Sequence, residues 1–176
     1  MDPENLMLKD NIVKLLNEQI THEAHASQLY LQMSLWCEDR GMNGAAAFFR
    51  KHVREELDHR DRIVDYMIES DAPVKLEPIP APPHEWDNLV EVLEAAYTHE
   101  REVTAQIHTL AELAMDERDF NTFNMLQWFI AEQREEIVLF RGIVEHMEMV
   151  DFDGERGQAL VNMDRYLRHI AEHHDH

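Results

Sequence analysis

The stretch VKLEPIPAPPHE, residues 74–85, decides how the rest of this chain folds. Its prolines remove backbone donors and clash with a preceding helical turn, so it is not the interior of a helix. At about 3.3 Å per residue, an extended linker over residues 71–85 reaches ~50 Å. A helix over residues 44–70 is only ~40 Å long at ~1.5 Å per residue. The linker can therefore run the full length of a helical bundle.

On both sides of this linker, apolar residues recur every three or four positions, which is the spacing of one helix face. We predict helices over residues 5–39, 44–70, 86–115, 120–150 and, shorter, 155–170. Short turns join the first helix to the second and the third to the fourth, so each pair forms an antiparallel hairpin. The sequence therefore predicts one all-α domain: a four-helix bundle with one long crossover between helices two and three, and a short fifth helix.

Composition excludes several classes of protein. The formal net charge is −20, with 36 acidic and 16 basic residues, which argues against nucleic acid as a partner because phosphates require a basic surface. An acidic surface concentrates cations instead. The first residues, MDPENLMLKDN, lack the pattern of a signal peptide, and no apolar run approaches the ~20 residues of a membrane span. We therefore expect a cytoplasmic protein that binds no membrane.

The single cysteine, Cys37, has no partner for an internal disulfide. It lies on the apolar stripe of the first helix, so we interpret it as a small buried packing residue. A redox or metal-binding role is the alternative.

Four carboxylates interrupt the apolar stripes of the long helices, at Glu23, Glu56, Glu100 and Glu136. Each lies near the middle of its helix, so in an antiparallel bundle all four meet at one level. Burying a single unpaired carboxylate costs several kcal/mol, and no Lys or Arg shares these stripes. Cations must therefore offset the charge. Carboxylate oxygens together with an imidazole suit iron or manganese.

The spacing of the polar residues adds specificity. Glu56 and His59 stand one turn apart on the same face and can share a metal. In the fourth helix, Gln133 and Glu136 occupy the matching positions. A Glu-x-x-His pair alone occurs by chance on many helices, so the prediction of two metals bridged by a carboxylate rests on the coincidence of all four stripes. This layout is a known signature of di-iron bundles.

Four further residues have two interpretations each. Tyr30, two turns beyond Glu23, is either a core tyrosine with a buried partner for its hydroxyl or an electron donor beside the metals. Glu55, Glu132 and Glu135 lie just off the stripes. They are either solvated surface residues or a group that holds an iron entering or leaving the pair.

The sequence resembles the non-haem bacterial and archaeal ferritins over nearly its whole length. The similarity is greatest in NEQITHEAHASQLYLQM (17–33), GAAAFFRKHVREELDH (44–59) and FNMLQWFIAEQREE (123–136). The resemblance implies one iron on Glu23, Glu56 and His59, with Glu56 bridging to a second iron. It places that second iron on Glu100 and Glu136, with Gln133 adjacent and Tyr30 as the nearby tyrosine. It also implies a third iron position, formed by Glu55, Glu132, Glu135 and Glu136.

The same resemblance implies a ferroxidase that oxidises Fe²⁺ with O₂ or peroxide and stores ferric mineral. The storage shell would be a homo-oligomer of about 24 subunits, with the fifth helix lining pores. No haem is expected, because Gln133 and Glu136 stand where a haem-bearing bacterioferritin would show a second Glu-x-x-His. A single cysteine excludes the Cys-x-x-Cys iron module of rubrerythrins, and mini-ferritins lack the fifth helix. The alternative from another class is a non-catalytic scaffold that binds a structural cation.

The chain accordingly divides into two parts. We assign residues 1–170 to a ferritin-like di-iron domain and residues 171–176 to a disordered, histidine-rich tail. Adventitious metal binding by this tail is the alternative interpretation.

Overall fold

The computed structural model describes residues 8–173, which form five helices and no strand. These are α1 (Asp10–Asp39), α2 (Asn43–Glu69), α3 (Leu89–Asp116), α4 (Phe120–Met149) and α5 (Gln158–His173). α1 packs along α2, α3 packs along α4, α1 also contacts α3, and α5 lies against α2. The linker between α2 and α3 has no regular secondary structure. The predicted all-α bundle with one crossover and a fifth helix is confirmed.

Three helices, α1, α3 and α5, begin later than predicted. α1 begins at Asp10, five residues later than expected, and the first seven residues of the chain lie outside the described range. α3 begins after Asn88, whose side chain accepts a hydrogen bond from the Glu91 backbone at 3.1 Å and so caps the helix. α5 begins at Gln158, just after Gly157, whose φ is 129°.

The end of α5 corrects the prediction for the tail. The helix continues to His173, so the expected disorder is wrong for residues 171–173. In this last turn, His173 Nδ1 donates to the His169 carbonyl at 2.9 Å, and the two rings stand 4.2 Å apart. Residues 174–176 of the predicted tail lie outside the described residues.

All four long helices end with the same backbone turn. The second residue after each helix has a left-handed φ: Gly41 at 76°, Asp71 at 51°, Arg118 at 57° and Asp151 at 50°. The following amide then donates to a carbonyl five residues back, as from Met42 to Cys37 at 3.0 Å. A glycine occupies this position only in the α1–α2 turn.

The interior consists of two apolar clusters separated by a polar layer. The tryptophan cluster, at one end, includes Trp36, Phe48, Phe49, Trp86 and Phe140. The isoleucine cluster, at the other end, includes Ile12, Ile20, Ile63, Ile107 and Phe129. Along every long helix, the buried glutamate falls between the residues that join one cluster and those that join the other.

Cys37 belongs to the tryptophan cluster and is fully buried. Burial raises the pKa of its thiol to about 12. The thiol therefore stays protonated, as its interpretation as a packing residue requires.

α5 is anchored at the first turn of α2. The amides of Gly44 and Ala45 donate to the Asp164 carboxylate at 3.0 and 2.8 Å, so a residue of α5 caps the amino terminus of α2. A side chain at Gly44 would place its Cβ 2.0 Å from the Asp164 carbonyl oxygen. Within residues 8–173, none of the helices has an apolar stretch of the length needed to cross a bilayer.

Candidate metal centre

The structure places all four predicted glutamates inside the bundle. Their exposed fractions are 1% for Glu23, 2% for Glu56, 0% for Glu100 and 1% for Glu136. Beyond this polar layer, the stripe of each helix is apolar on both sides, so the same periodicity that builds the core aims these carboxylates into it. A polar layer of this kind requires a partner for its charge.

The first donor group joins α1 and α2 and consists of Glu23, Glu56 and His59. One ligand atom from each lies within 4.8 Å of the others, and all three residues are buried. His59 Nδ1 is 3.3 Å from Glu56 Oε2 and 3.8 Å from Glu23 Oε2. Gln19 fixes the Glu23 carboxylate by donating to its Oε1 at 2.8 Å. The Glu-x-x-His spacing predicted the pairing of Glu56 with His59, and the family resemblance predicted Glu23 beside them.

The ionisation of this group shows how much charge it concentrates. Burial alone would raise the pKa of Glu23, but hydrogen bonding and charge from His59 outweigh it, so the pKa is lowered. Burial and the neighbouring carboxylates raise the pKa of Glu56 well above its usual value, against the opposing effect of His59. The pKa of His59 is raised because Glu132, Glu23 and Glu56 overcome its burial. Because the pKa values of Glu56 and His59 are raised, a cation that binds here would displace protons from them.

A second donor group contains a residue to which the sequence assigned no role. His52, Glu55 and Glu136 bring three ligand atoms within 4.8 Å of one another. His52 Nε2 is 3.4 Å from Glu136 Oε2 and 3.8 Å from Glu55 Oε2. The other ring nitrogen, Nδ1, donates to the Phe48 carbonyl at 3.0 Å, which turns Nε2 toward the carboxylates.

His52 also carries a shifted pKa. Burial opposes its protonation, but Glu136 and Glu55 raise the pKa to about 9. The signal for this residue was present in the sequence. His52 lies on the same stripe as Glu56, one turn earlier.

Glu100 is in neither donor group. Its carboxylate accepts a short hydrogen bond from the Tyr30 hydroxyl and another from Gln133 Nε2 at 3.0 Å. Burial and the nearby Glu136 raise the pKa of Glu100 to about 7, although Tyr30, Gln133 and His52 oppose the rise. Gln133 presents its amide nitrogen to Glu100, so it acts here as a hydrogen-bond donor to a carboxylate and positions it.

Tyr30 has the buried hydroxyl partner that one interpretation required. Its ring stacks against Phe49 and Phe140, with centroids 6.0 and 6.2 Å away. Burial and the surrounding carboxylates raise the pKa of Tyr30 well above its usual value. The phenol therefore keeps its proton and holds it against Glu100.

The two remaining predicted residues lie at the edge of the centre. Glu132 is half-buried, with Oε1 3.8 Å from His59 Nε2, whereas Glu135 is exposed. Neither belongs to the donor groups. A cavity of about 400 Å³, lined in part by Glu55, His59 and Glu132, opens this α2–α4 side of the centre to solvent.

Comparisons with known proteins give the class to which this fold and centre belong. A sequence profile of the ferritin-like domain matches residues 13–150. A bacterial non-heme ferritin of Campylobacter jejuni is 42% identical over 165 residues, which cover 94% of this chain and 97% of the relative. One from Escherichia coli O6:H1 is 38% identical over 161 residues, covering 92% and 96%.

Solved structures agree with these sequence relatives. The open-pore ferritin of the hyperthermophilic archaeon Archaeoglobus fulgidus matches with a TM-score of 0.86 and 38% identity, over 92% of this chain and 96% of that one. The chain belongs to the ferritin family, and the resemblance to its non-haem bacterial and archaeal members is confirmed. Iron storage is therefore its general function.

Proposed function

We propose that this chain is a ferroxidase subunit that takes two Fe²⁺ ions as substrate in the polar layer of its bundle. The observation that carries the proposal is the buried group of Glu23, Glu56 and His59. One Fe²⁺ binds to this group, and Glu56 bridges to the other. The second Fe²⁺ binds to Glu100 and Glu136, with Gln133 and Tyr30 orienting Glu100 through their hydrogen bonds. Carboxylates and an imidazole are the donors that suit this ion.

The proposed reaction balances in electrons and protons. Each of two Fe²⁺ ions loses one electron, and O₂ takes both electrons with two protons and leaves as H₂O₂. Where peroxide is the oxidant, it takes two electrons and two protons and leaves as two waters. Glu56 and Glu100, whose pKa values are raised by burial, release protons when iron binds. The protein thus positions the two Fe²⁺ ions and supplies the two protons that the oxidant takes up.

A third iron position is proposed next to the pair, where His52, Glu55 and Glu136 converge. Because Glu136 also serves the second iron, an ion can move between the two positions without losing all its ligands. Glu132 is half-buried and Glu135 is exposed, and both stay predicted ligands of this third iron.

Storage requires an enclosed space, so we propose that about 24 copies assemble into a hollow homo-oligomeric shell in the cytoplasm. Several large apolar side chains are exposed on the single subunit, which supports burial between copies; they are Ile68, Leu76, Phe120, Met149 and Val150. Ferric mineral would collect inside, where the acidic surface gathers cations.

Rapid mixing of the protein with Fe²⁺ under air tests the proposal. A ferroxidase shows a fast oxygen-dependent absorbance phase whose amplitude saturates near two Fe²⁺ per subunit, and electron microscopy shows hollow particles. A non-catalytic scaffold gives only the slow rate of Fe²⁺ in buffer. That result, with correctly assembled particles, would remove the enzymatic part of the proposal and leave the storage part standing.

A further inference from the structure

Three histidines lie together outside both donor groups, on the α1–α3 side of the bundle. His22 and His25 stand one turn apart on α1, and His99 comes from α3, which contacts α1 directly. The ring centroids of His25 and His99 are 6.2 Å apart, in an edge-to-face arrangement. The centroids of His99 and Tyr30 are 5.8 Å apart. We call these three residues the imidazole cluster.

The nitrogen atoms of the imidazole cluster have unmet hydrogen-bonding capacity. His22 Nδ1 and His99 Nε2 are both sealed from solvent and have no hydrogen-bond partner. Buried polar atoms without a partner are rare, and each requires an explanation. Two such nitrogen atoms lie in this one cluster. They indicate a binding site for a ligand that imidazole nitrogens can coordinate.

The charges around the cluster favour a cation as that ligand. Glu102 acts electrostatically on His25, and Glu23 acts on His99. Each histidine also lies within two residues of a buried glutamate in sequence: His22 and His25 flank Glu23, and His99 precedes Glu100. The cluster therefore adjoins the carboxylate layer, while burial and the neighbouring imidazoles lower the pKa values of His25 and His99 and favour the neutral rings that bind metals.

The type of donor selects the type of cation. Imidazole nitrogens suit divalent transition metals such as iron, zinc and copper, whereas Mg²⁺ and Ca²⁺ prefer oxygen ligands. We propose that His22, His25 and His99 form an imidazole site for a divalent transition-metal ion, through which Fe²⁺ passes between α1 and α3 to the carboxylates. The second half of this inference rests on the proposed ferroxidase function, and the first half does not.

Binding requires a small movement of two side chains. The three imidazoles do not form one of the two groups whose donors lie within 4.8 Å of one another. His22, His25 and His99 are all half-buried, and the proposed site requires the rings of His22 and His25 to turn toward His99.

The two sides of the centre then differ in chemistry. The α1–α3 side offers imidazole nitrogens, which suit incoming Fe²⁺. The α2–α4 side offers carboxylates of Glu55 and Glu132 at the mouth of a cavity of about 400 Å³. Oxygen ligands suit the harder Fe³⁺, so the arrangement favours entry on one side and departure on the other.

The binding half is tested by anomalous scattering from crystals of the assembled protein soaked in Zn²⁺. We expect a peak enclosed by His22, His25 and His99, in addition to peaks at the carboxylates. The double variant H22Q/H25Q should lose that peak alone. The matched control H84Q/H108Q removes two exposed histidines elsewhere and should keep it. A wild-type map with zinc at the carboxylates and nothing at the imidazole cluster overturns the proposal.

The delivery half is tested by Fe²⁺ oxidation at rising Fe²⁺ concentrations. In H22Q/H25Q the Fe²⁺ concentration at half-maximal rate should rise about 10-fold, the usual cost of losing a supporting metal contact, and by more than any fall in the maximal rate. If H22Q/H25Q and H84Q/H108Q reach half-maximal rate at the same Fe²⁺ concentration, delivery through this site is overturned. A decrease in the maximal rate alone also overturns it and would indicate a role in proton transfer. Absence of the fast phase in the wild type would instead contradict the proposed ferroxidase.

Discussion

Each of the two helical hairpins carries one buried glutamate on each of its helices, but the contacts of these carboxylates differ between the hairpins. In the α1–α2 hairpin, Glu23 and Glu56 converge on one imidazole, His59. In the α3–α4 hairpin, Glu100 and Glu136 are directed to different partners. Glu100 accepts hydrogen bonds from Tyr30 and Gln133, while Glu136 faces His52.

The difference teaches that the second half of the centre is completed by the first. Tyr30 and His52 both belong to the α1–α2 hairpin, yet they contact the carboxylates of the other hairpin. Only the α1–α2 hairpin therefore has a self-contained donor group. We expect the two iron positions to differ in affinity, and variants in each hairpin should have separable effects.

The largest expected effect follows from breaking the self-contained group. Glu56→Gln removes the ligand proposed to bridge both irons, so the rate of the fast oxidation phase should fall by at least about 100-fold, the upper range for losing a supporting residue alone. Stopped-flow absorbance measures the rate. Glu94→Gln changes the same charge at an exposed position of α3 and should leave the rate unaltered. Comparable rates in both variants would contradict the bridging role.

A smaller effect is expected in the other hairpin. Gln133→Leu removes the amide that donates to Glu100 at 3.0 Å, so affinity for the second Fe²⁺ should fall about 10-fold while the first is retained. Anaerobic calorimetric titration with Fe²⁺ resolves the two steps. Gln127→Leu, at an exposed position of α4, is the control. Equal weakening of both steps would show that the two positions are not separable.

The pH dependence sharpens the comparison further. The Tyr30 hydroxyl donates to the ionised form of Glu100 and so lowers a pKa that burial has raised to about 7. Tyr30→Phe should therefore raise that pKa, and the midpoint for binding the second Fe²⁺ should move up by about one pH unit. Affinity is lost as pH falls through this midpoint because the protonated carboxyl cannot ligate. Tyr97→Phe provides the control, and a downward shift would contradict the assignment.

The smallest expected effect concerns the turns of the two hairpins. The α1–α2 turn has Gly41 at a φ of 76°, whereas the α3–α4 turn has Arg118 at 57°. Left-handed backbone costs a side-chain-bearing residue about 1–2 kcal/mol, partly offset by the greater freedom of glycine when unfolded. Arg118→Gly should therefore stabilise the subunit by about 0.5–1 kcal/mol in thermal unfolding at fixed assembly state. Gly41→Ala should destabilise the subunit, because alanine disfavours left-handed backbone. A Cβ at this position would meet no other atom within 4 Å, so no steric clash adds to the cost.

Much of the fold could be predicted because its signals are periodic. The helix faces, the proline-rich crossover and the turn at Gly41 can all be predicted from local patterns in the sequence. The left-handed φ at Asp71, Arg118 and Asp151 was not predicted, because such backbone is uncommon at residues other than glycine and no sequence pattern marks it. The last turn of α5 was missed for a related reason: a histidine-rich segment carries no apolar periodicity, and here Ala171 packs against the tryptophan cluster.

Prediction of the centre was limited by orientation. Stripe position showed that Glu23, Glu56 and His59 face inward together, and the structure places them in one group. It could not show that Gln133 turns its nitrogen to Glu100, or that His52 turns Nε2 to Glu136, because these choices depend on contacts between helices. Glu132 and Glu135 stay predictions as iron ligands.

The polar layer between the tryptophan and isoleucine clusters has a mechanical consequence. Each long helix is gripped by apolar packing at its two ends and crosses a band of mutually repelling carboxylates in its middle. The proposed irons would link all four helices at this level, and ligand binding to the native state adds to its stability. The thermal unfolding temperature of the subunit should therefore be higher when metal occupies its centre.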